Sequence, residues 1–187
     1  GAYGIYAASY YGDVSVDNYG GTISASAYGT AIGIDAYSIY GAVSVDNSGD
    51  ITAYSYAGTA NGVNAVSIFD DVNINSSGGV ISANSAYGQA VGIVAISIYG
   101  DVNIDNSSNI TANSPESSAY GMFVRASNGS VTINNDGNLD VDSYYGYATG
   151  IYAGSYGDLT ITGSGDISAI TSGDYYGYYA DATGIIA

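Results

Sequence analysis

Residues 42–53 read AVSVDNSGDITA: two short runs of alternating apolar and polar residues on either side of an Asx-x-Gly turn. Nearly the same phrase returns five more times. It is YGDVSVDNYGGTISA from Tyr11, DVNINSSGGVISA from Asp71, DVNIDNSSNITA from Asp101, SVTINNDGNLDV from Ser130 and DLTITGSGDISA from Asp158. A chemical motif usually occurs once, where the chemistry happens. A phrase repeated along the whole chain is architecture.

Three anchors mark each repeat. A Gly-aliphatic pair falls at Gly4, Gly33, Gly62, Gly92, Gly121, Gly150 and Gly184, spaced by 29, 29, 30, 29, 29 and 34 residues. A second anchor opens a V-x-V run at Val14, Val43, Val72, Val102, Val131 and Leu159. A third opens an I-x-A run at Ile23, Ile51, Ile81, Ile110, Leu139 and Ile167. The chain therefore reads as a single segment, 1–187, with repeats starting near 4, 33, 62, 92, 121 and 150 and a partial seventh at 184. The runs are about five residues long and alternate with period two, so one face of each points inward. They are too short to pair as hairpins. This predicts an all-β fold, a parallel three-sided β-solenoid of about six coils of 29–30 residues, each strand pairing with its copy about 4.7–4.9 Å above. One large and one small inward residue, such as Ile34 with Ala36 and Ile51 with Ala53, suit a narrow core where three sheets converge. Repeat five changes jointly at Met122, Val124, Leu139 and Val141, which reads as local repacking.

The repeated turn is then a corner. Gly20, Gly49, Gly78, Gly137 and Gly165 are expected to supply positive φ there. Asn18, Asn47, Asn106 and Asn135 are expected to cap the turn and stack into an amide ladder.

Composition narrows the function. Seventeen acidic residues (sixteen Asp and Glu116) face one basic residue, Arg125, and the net charge is −16. That balance argues against nucleic acid and anionic membrane as partners, both of which demand basic patches. There is no Cys and no His, so disulfides and zinc–thiolate chemistry are excluded. No apolar run reaches transmembrane length, which predicts no direct membrane insertion by this segment. The opening residues already lie inside the repeat, so any targeting signal is expected outside this stretch. Both ends fall within a repeat, and open strand edges there would invite head-to-tail stacking unless more chain follows.

The N-x-G-x-I corner leading into a short I-x-A strand, as in Asn47-Ser-Gly49-Asp-Ile51 and Asn135-Asp-Gly137-Asn-Leu139, resembles the repeats of bacterial autotransporter passengers. Filamentous-haemagglutinin-type adhesins carry similar repeats. The resemblance covers essentially the whole chain. It implies a right-handed β-helix, extracellular or on the bacterial cell surface, that acts as an adhesin or fibre stalk. The absence of Cys suits proteins that cross an outer membrane unfolded. Abundant Tyr and the lack of a membrane-anchoring barrel segment here depart from that pattern.

Candidate sites are weighed against the repeat. β-Helical lyases need a base, and Arg125 is the only basic residue on offer. β-Helical hydrolases need convergent carboxylates. Asp13, Asp71, Asp101 and Asp158 stack with the repeat, whereas a catalytic cluster should break it, so no catalytic residues and no cofactor are assigned and the expectation is a non-enzyme. The same four aspartates are the candidates for weakly bound calcium. Arg125 is expected to relieve local acidic charge beside a nearby Asp. Tyr11, Tyr40, Phe69 and Tyr99 read as an aromatic ladder. The tyrosines before the later Gly-aliphatic anchors, Tyr144, Tyr145, Tyr147, Tyr175, Tyr176, Tyr178 and Tyr179, are candidate contacts for glycans or a host or neighbouring cell surface. Val66, Ile68, Val94, Ile96 and Ile98 place apolar side chains where alternation points them outward. That stripe implies a cover, either a loop or another copy, and with it self-association into a fibre. The mixed outward row Ser24/Thr52/Ser82/Thr111/Asp140/Ser168 lacks the regular Thr array of an ice-binding face. The expected function is a structural, adhesive stalk or filament. The alternative is a β-helix that binds or degrades polysaccharide.

Overall fold

The computed structural model describes residues 1–172 and 181–187. The first coil consists of β1 (Ala2–Ser9), β2 (Val14–Asn18) and β3 (Thr22–Ala27); the second repeats it as β4 (Ala31–Ser38), β5 (Val43–Asn47) and β6 (Asp50–Ser55). Each strand pairs in parallel with its copy in the next coil, residue on equivalent residue: Val14 on Val43, Val43 on Val72. Among the described residues this produces one seven-stranded and two six-stranded parallel sheets wound about a common core. The fold is the expected three-sided β-solenoid of about six coils.

Alternation explains why the strands form. Val43, Val45, Ile51 and Ala53 face inward and are fully buried, while Ser44, Asp46 and Thr52 between them are not. The strands of the first sheet, apart from the last (Ala182–Ile186), run eight residues rather than about five. Their opening alanines (Ala60, Ala90, Ala119, Ala148) join Ala53, Ala83 and Ala112 in a second small-residue core.

The Gly-aliphatic anchor has a steric origin that its spacing did not reveal. A Cβ on Gly62 would collide with Cγ2 of Ile81 and with the carbonyl oxygen of Gly92. Gly33 stands in the same relation to Ile51, and Gly92 to Ile110. The first sheet thus leaves a slot that the β-branched methyl of the third sheet fills. Coil five keeps the glycine, Gly121, but changes its partner, since Leu139 carries no γ2 methyl. Met122, Val124, Leu139 and Val141 together close that space with no more than 1% exposure each.

The corners bury polar groups and satisfy them coil to coil. Asn18 donates through Nδ2 to Oδ1 of Asn47 at 2.8 Å and Asn106 to Asn135 at 2.7 Å, while Asn47 and Asn135 also cap their own turns at Gly49 O and Gly137 O. The expected ladder is present, with one defect. Ser76 stands in the column and shares a 2.7 Å hydrogen bond with Ser108, the residue that replaces the corner glycine of coil four. Asn106 Oδ1 is left buried without a partner. The other two corners use serine. Ser38 accepts from the N–H of Gly41 and donates to Gly12 O in the coil below; Ser55 accepts from Gly58 N–H and donates to Gly29 O.

Positive φ differs from expectation. Among the described residues it occurs at Gly20 (80°), Gly79 (72°) and Gly163 (138°), not at Gly49, Gly78, Gly137 or Gly165. At Gly49 and Gly137 a Cβ would instead run into the carbonyl of the adjacent coil, at Gly21 and Ser108 respectively. Close approach of neighbouring corners, rather than a left-handed backbone, requires those glycines.

Two glycines in the same solenoid should therefore respond differently to one added methyl. Gly62→Ala is expected to cost about 1–3 kcal/mol by overpacking. Gly29→Ala, where a Cβ meets nothing within 4 Å, should stay within about 0.5 kcal/mol of the parent. Denaturant melts followed by circular dichroism will measure both.

Candidate functional site

The three outward faces differ in chemistry. The second sheet presents Ser15, Ser44, Asn73, Asn103, Thr132 and Thr160 in one column, with Asp17, Asp46, Asn75, Asp105, Asn134 and Thr162 in the next. Its polar groups pair along the stack: Asn75 donates to Asp46 Oδ1 and Asn134 to Asp105 Oδ1, each at 3.1 Å. A shallow trough of about 340 Å³ runs along this face over Ile74 and Ile104. The third sheet is similarly polar.

The first sheet is not. Its outward columns read Tyr6/Asp35/Asn64/Val94/Phe123/Tyr152 and Ala8/Tyr37/Val66/Ile96/Arg125/Gly154. Among the described residues its only charges are Asp35 and Arg125, which cancel. Among the described residues the other acids lie on the remaining two faces and at the corners. Asp35 is 9% exposed, and Asn64 donates to its Oδ1 at 2.7 Å. The apolar stripe sits where alternation placed it. Val66, Ile68, Val94 and Ile96 are half-buried by sheet neighbours, and Ile98 is exposed.

At coil five the repeat breaks at several adjacent positions. Arg125 follows Ile96 in its column, Ala126 replaces the corner serine (Ser97), and Asn128 stands where Tyr99 stood and donates to Ile98 O at 2.7 Å. One coil on, Gly154 leaves open space, since a Cβ there would meet nothing within 4 Å. The result is an open notch of about 430 Å³ lined by Phe123, Arg125, Ala126, Ser127, Tyr152, Gly154, Ser155 and Tyr156. Phe123 and Tyr152 stack in parallel along its wall, with centroids 5.0 Å apart and planes 5° apart. The expected Asp partner of Arg125 is not found: among the described residues the guanidinium has no ion pair or hydrogen bond. The reason is position. The acid on the same face, Asp35, lies three coils away, about 14 Å at the coil spacing of a parallel stack.

The stacked aspartates serve the backbone. Asp13 Oδ1 accepts from Ala42 N–H at 2.9 Å, Asp71 Oδ1 from Asp101 N–H at 2.7 Å, and Asp101 Oδ1 from Ser130 N–H at 2.8 Å. The Asp158 N–H in turn donates to Ser130 Oγ. Among the described residues no three acidic side chains converge where a metal ion would sit.

The tyrosines divide into ladders and loops. Tyr11, Tyr40, Phe69 and Tyr99 stack at 5.0–5.6 Å with planes within 10°. Tyr28, Tyr56 and Tyr87 line a second corner in tilted and edge-on contact. Tyr144 and Tyr145 meet edge to face at 4.5 Å, and Tyr144, Tyr145 and Tyr147 are all exposed. Tyr175, Tyr176, Tyr178 and Tyr179 lie outside the described residues. The sequence singles out these loops and does not point to the notch. The joint departures at 125, 126, 128 and 154 carried the signal for the notch, but they fall in two coils and only the stacking unites them. Comparison with protein-family models, with curated proteins and with solved structures finds no match.

Two outcomes are expected. Asp101→Ala removes the acceptor for Ser130 N–H and should cost about 1 kcal/mol, equally in chelator and in excess calcium; thermal melts in both conditions check it. Partial desolvation of this exposed side chain, with the charge of Asp140 beside it, raises the Asp142 carboxyl above its usual range. A carboxyl raised on folding is penalised once ionised, so it detracts from stability above the unfolded range and the penalty fades as pH falls. Asp142→Asn should raise the melting midpoint at pH 7 and leave it unchanged near pH 3.

Proposed function

We propose that this chain is a structural, contact-making solenoid, a stiff acidic stalk or filament displayed outside a bacterial cell. The observation that carries the reading is the charge-neutral, aliphatic and aromatic face of the first sheet on a chain of net charge −16. Copies that approach through the second or third sheets bring aspartates against aspartates. Through the first sheet they meet Val66, Val94, Ile96 and Phe123, whose burial is favourable and whose face adds no net charge. The in-register stack of three sheets supports stiffness, because bending it would strain every coil-to-coil hydrogen bond on one side. The extracellular placement rests on the likeness of the corner repeats to autotransporter and haemagglutinin-type adhesins and on the absence of cysteine. No catalytic role is assigned, since the stacked carboxylates that hydrolysis would need accept backbone amides. The polysaccharide-contact reading is favoured by one observation, the Arg125 notch, where the repeat is interrupted.

Electron microscopy across a concentration series, beside the double variant Val94→Asp/Ile96→Asp, tests the first-sheet contact. Laterally paired particles that separate in the variant are the expected result. Single particles at every concentration would overturn it.

A further inference from the structure

We propose that the Arg125 notch is a binding site for an acidic sugar, a pyranose carrying a carboxylate as in uronic or sialic acids. Four observations meet there. Arg125 is the only basic residue of the chain, and among the described residues it is unpaired. Charged side chains placed merely to relieve acidity find acidic neighbours, whereas this one stands on the face that carries fewest. The guanidinium is a planar fork that binds a carboxylate through two parallel hydrogen bonds, a geometry that an ammonium does not offer. Phe123 and Tyr152, stacked with centroids 5.0 Å apart, line one side of the notch with their ring edges. That apolar edge packs against the C–H groups of a pyranose ring, and the sugar hydroxyls find a polar partner in Ser127 on the rim.

The notch is also the right size and has been opened at a particular place. Its volume of about 430 Å³ lies within the range of small-ligand sites. Gly154 sits directly over Arg125 in the stack, where the equivalent positions of earlier coils hold Ile96, Val66 and Tyr37. Nothing in the backbone requires glycine there, since its φ is not positive and a Cβ has free space. A side chain at 154 would fill the room above the guanidinium. The net charge of the chain does not forbid an anion, because the Debye length is about 8 Å at physiological salt and the acids of the other faces are screened beyond it. It does select against polyanions, whose further charges would meet those faces. The ligand is therefore a terminal or isolated acidic sugar rather than a continuous polyuronate.

This inference rests on the contact-making reading but not on fibre formation. Saturation-transfer NMR and calorimetry of the whole chain with methyl α-galacturonide and with N-acetylneuraminic acid, against the neutral methyl ester of the first, test it. Binding of at least one acid, roughly tenfold weaker or absent for the ester, is expected. Arg125→Gln should remove it and Arg125→Lys should retain only part. Gly154→Val should block the notch while keeping a strand-compatible residue, and circular dichroism confirms that each variant folds. Binding of neither acid, equal binding of acid and ester, or undiminished binding by both Arg125→Gln and Gly154→Val would overturn the site. A glutamate-containing peptide that binds where the sugars do not would overturn it in favour of a protein partner. Electron microscopy of the same samples separates this failure from failure of the filament reading, since the Val94→Asp/Ile96→Asp comparison reads lateral pairing without altering Arg125 or Gly154.

Discussion

Every feature of this molecule answers to one distance, the spacing of about 4.8 Å at which parallel strands stack. A residue in any coil sits directly under its counterpart in the next, so a column has to be compatible with itself. Val on Val and Ala on Ala satisfy that trivially in the core. Buried amides satisfy it by donating upward, as Asn18 does to Asn47. Aromatic rings satisfy it by stacking, since 5.0–5.6 Å between centroids is what the coil spacing leaves for Tyr11, Tyr40, Phe69 and Tyr99. Carboxylates are the difficult case. The Asp13, Asp71 and Asp101 columns persist because each charge accepts an amide N–H of the next coil, which offsets part of the repulsion between neighbours.

The same spacing explains why departures from the repeat come in compensating groups. Ser108 in place of a corner glycine is matched by Ser76 in place of the ladder asparagine, and the two hydroxyls bond each other. Leu139 without a γ2 methyl is matched by Met122 and Val141 around Gly121. At coil five the first sheet departs in a different way. Arg125 and Gly154 do not fill one another's space, and no neighbour satisfies the guanidinium. Compensated departures preserve the solenoid, whereas an uncompensated one leaves a cavity and a charge available to something outside the chain.

Three chemically different faces follow from one repeat because each strand has its own outward positions. The second and third sheets carry hydroxyls, amides and acids. The first sheet carries Tyr, Val, Ile and Phe with two opposed charges. The first sheet is thus the one neutral side of an acidic rod, and the notch gives that side a polar feature that a flat apolar sheet lacks.

The sequence by itself determined the fold class, the strand register, the inward columns, the asparagine ladder and the position of the aromatic ladder. It could do so because period-two alternation within a coil and period-29 repetition between coils are both written in residue order. It did not contain the reasons for the glycines. Gly62 is required by Ile81 nineteen residues on and Gly92 thirty residues on, and Gly49 by the carbonyl of Gly21 one coil back, none of which is a local signal. The serine corners went unread because the S-x-x-G spacing, from Ser38 to Gly41 and Ser55 to Gly58, is short and common until the carbonyl of the coil below is placed against it. Only the tertiary structure decided that Arg125 stands apart from the acids and that Gly154 opens the space above it. Those two residues are 29 positions apart in the chain and direct neighbours in the sheet, and adjacency of that kind exists only once the coils have stacked.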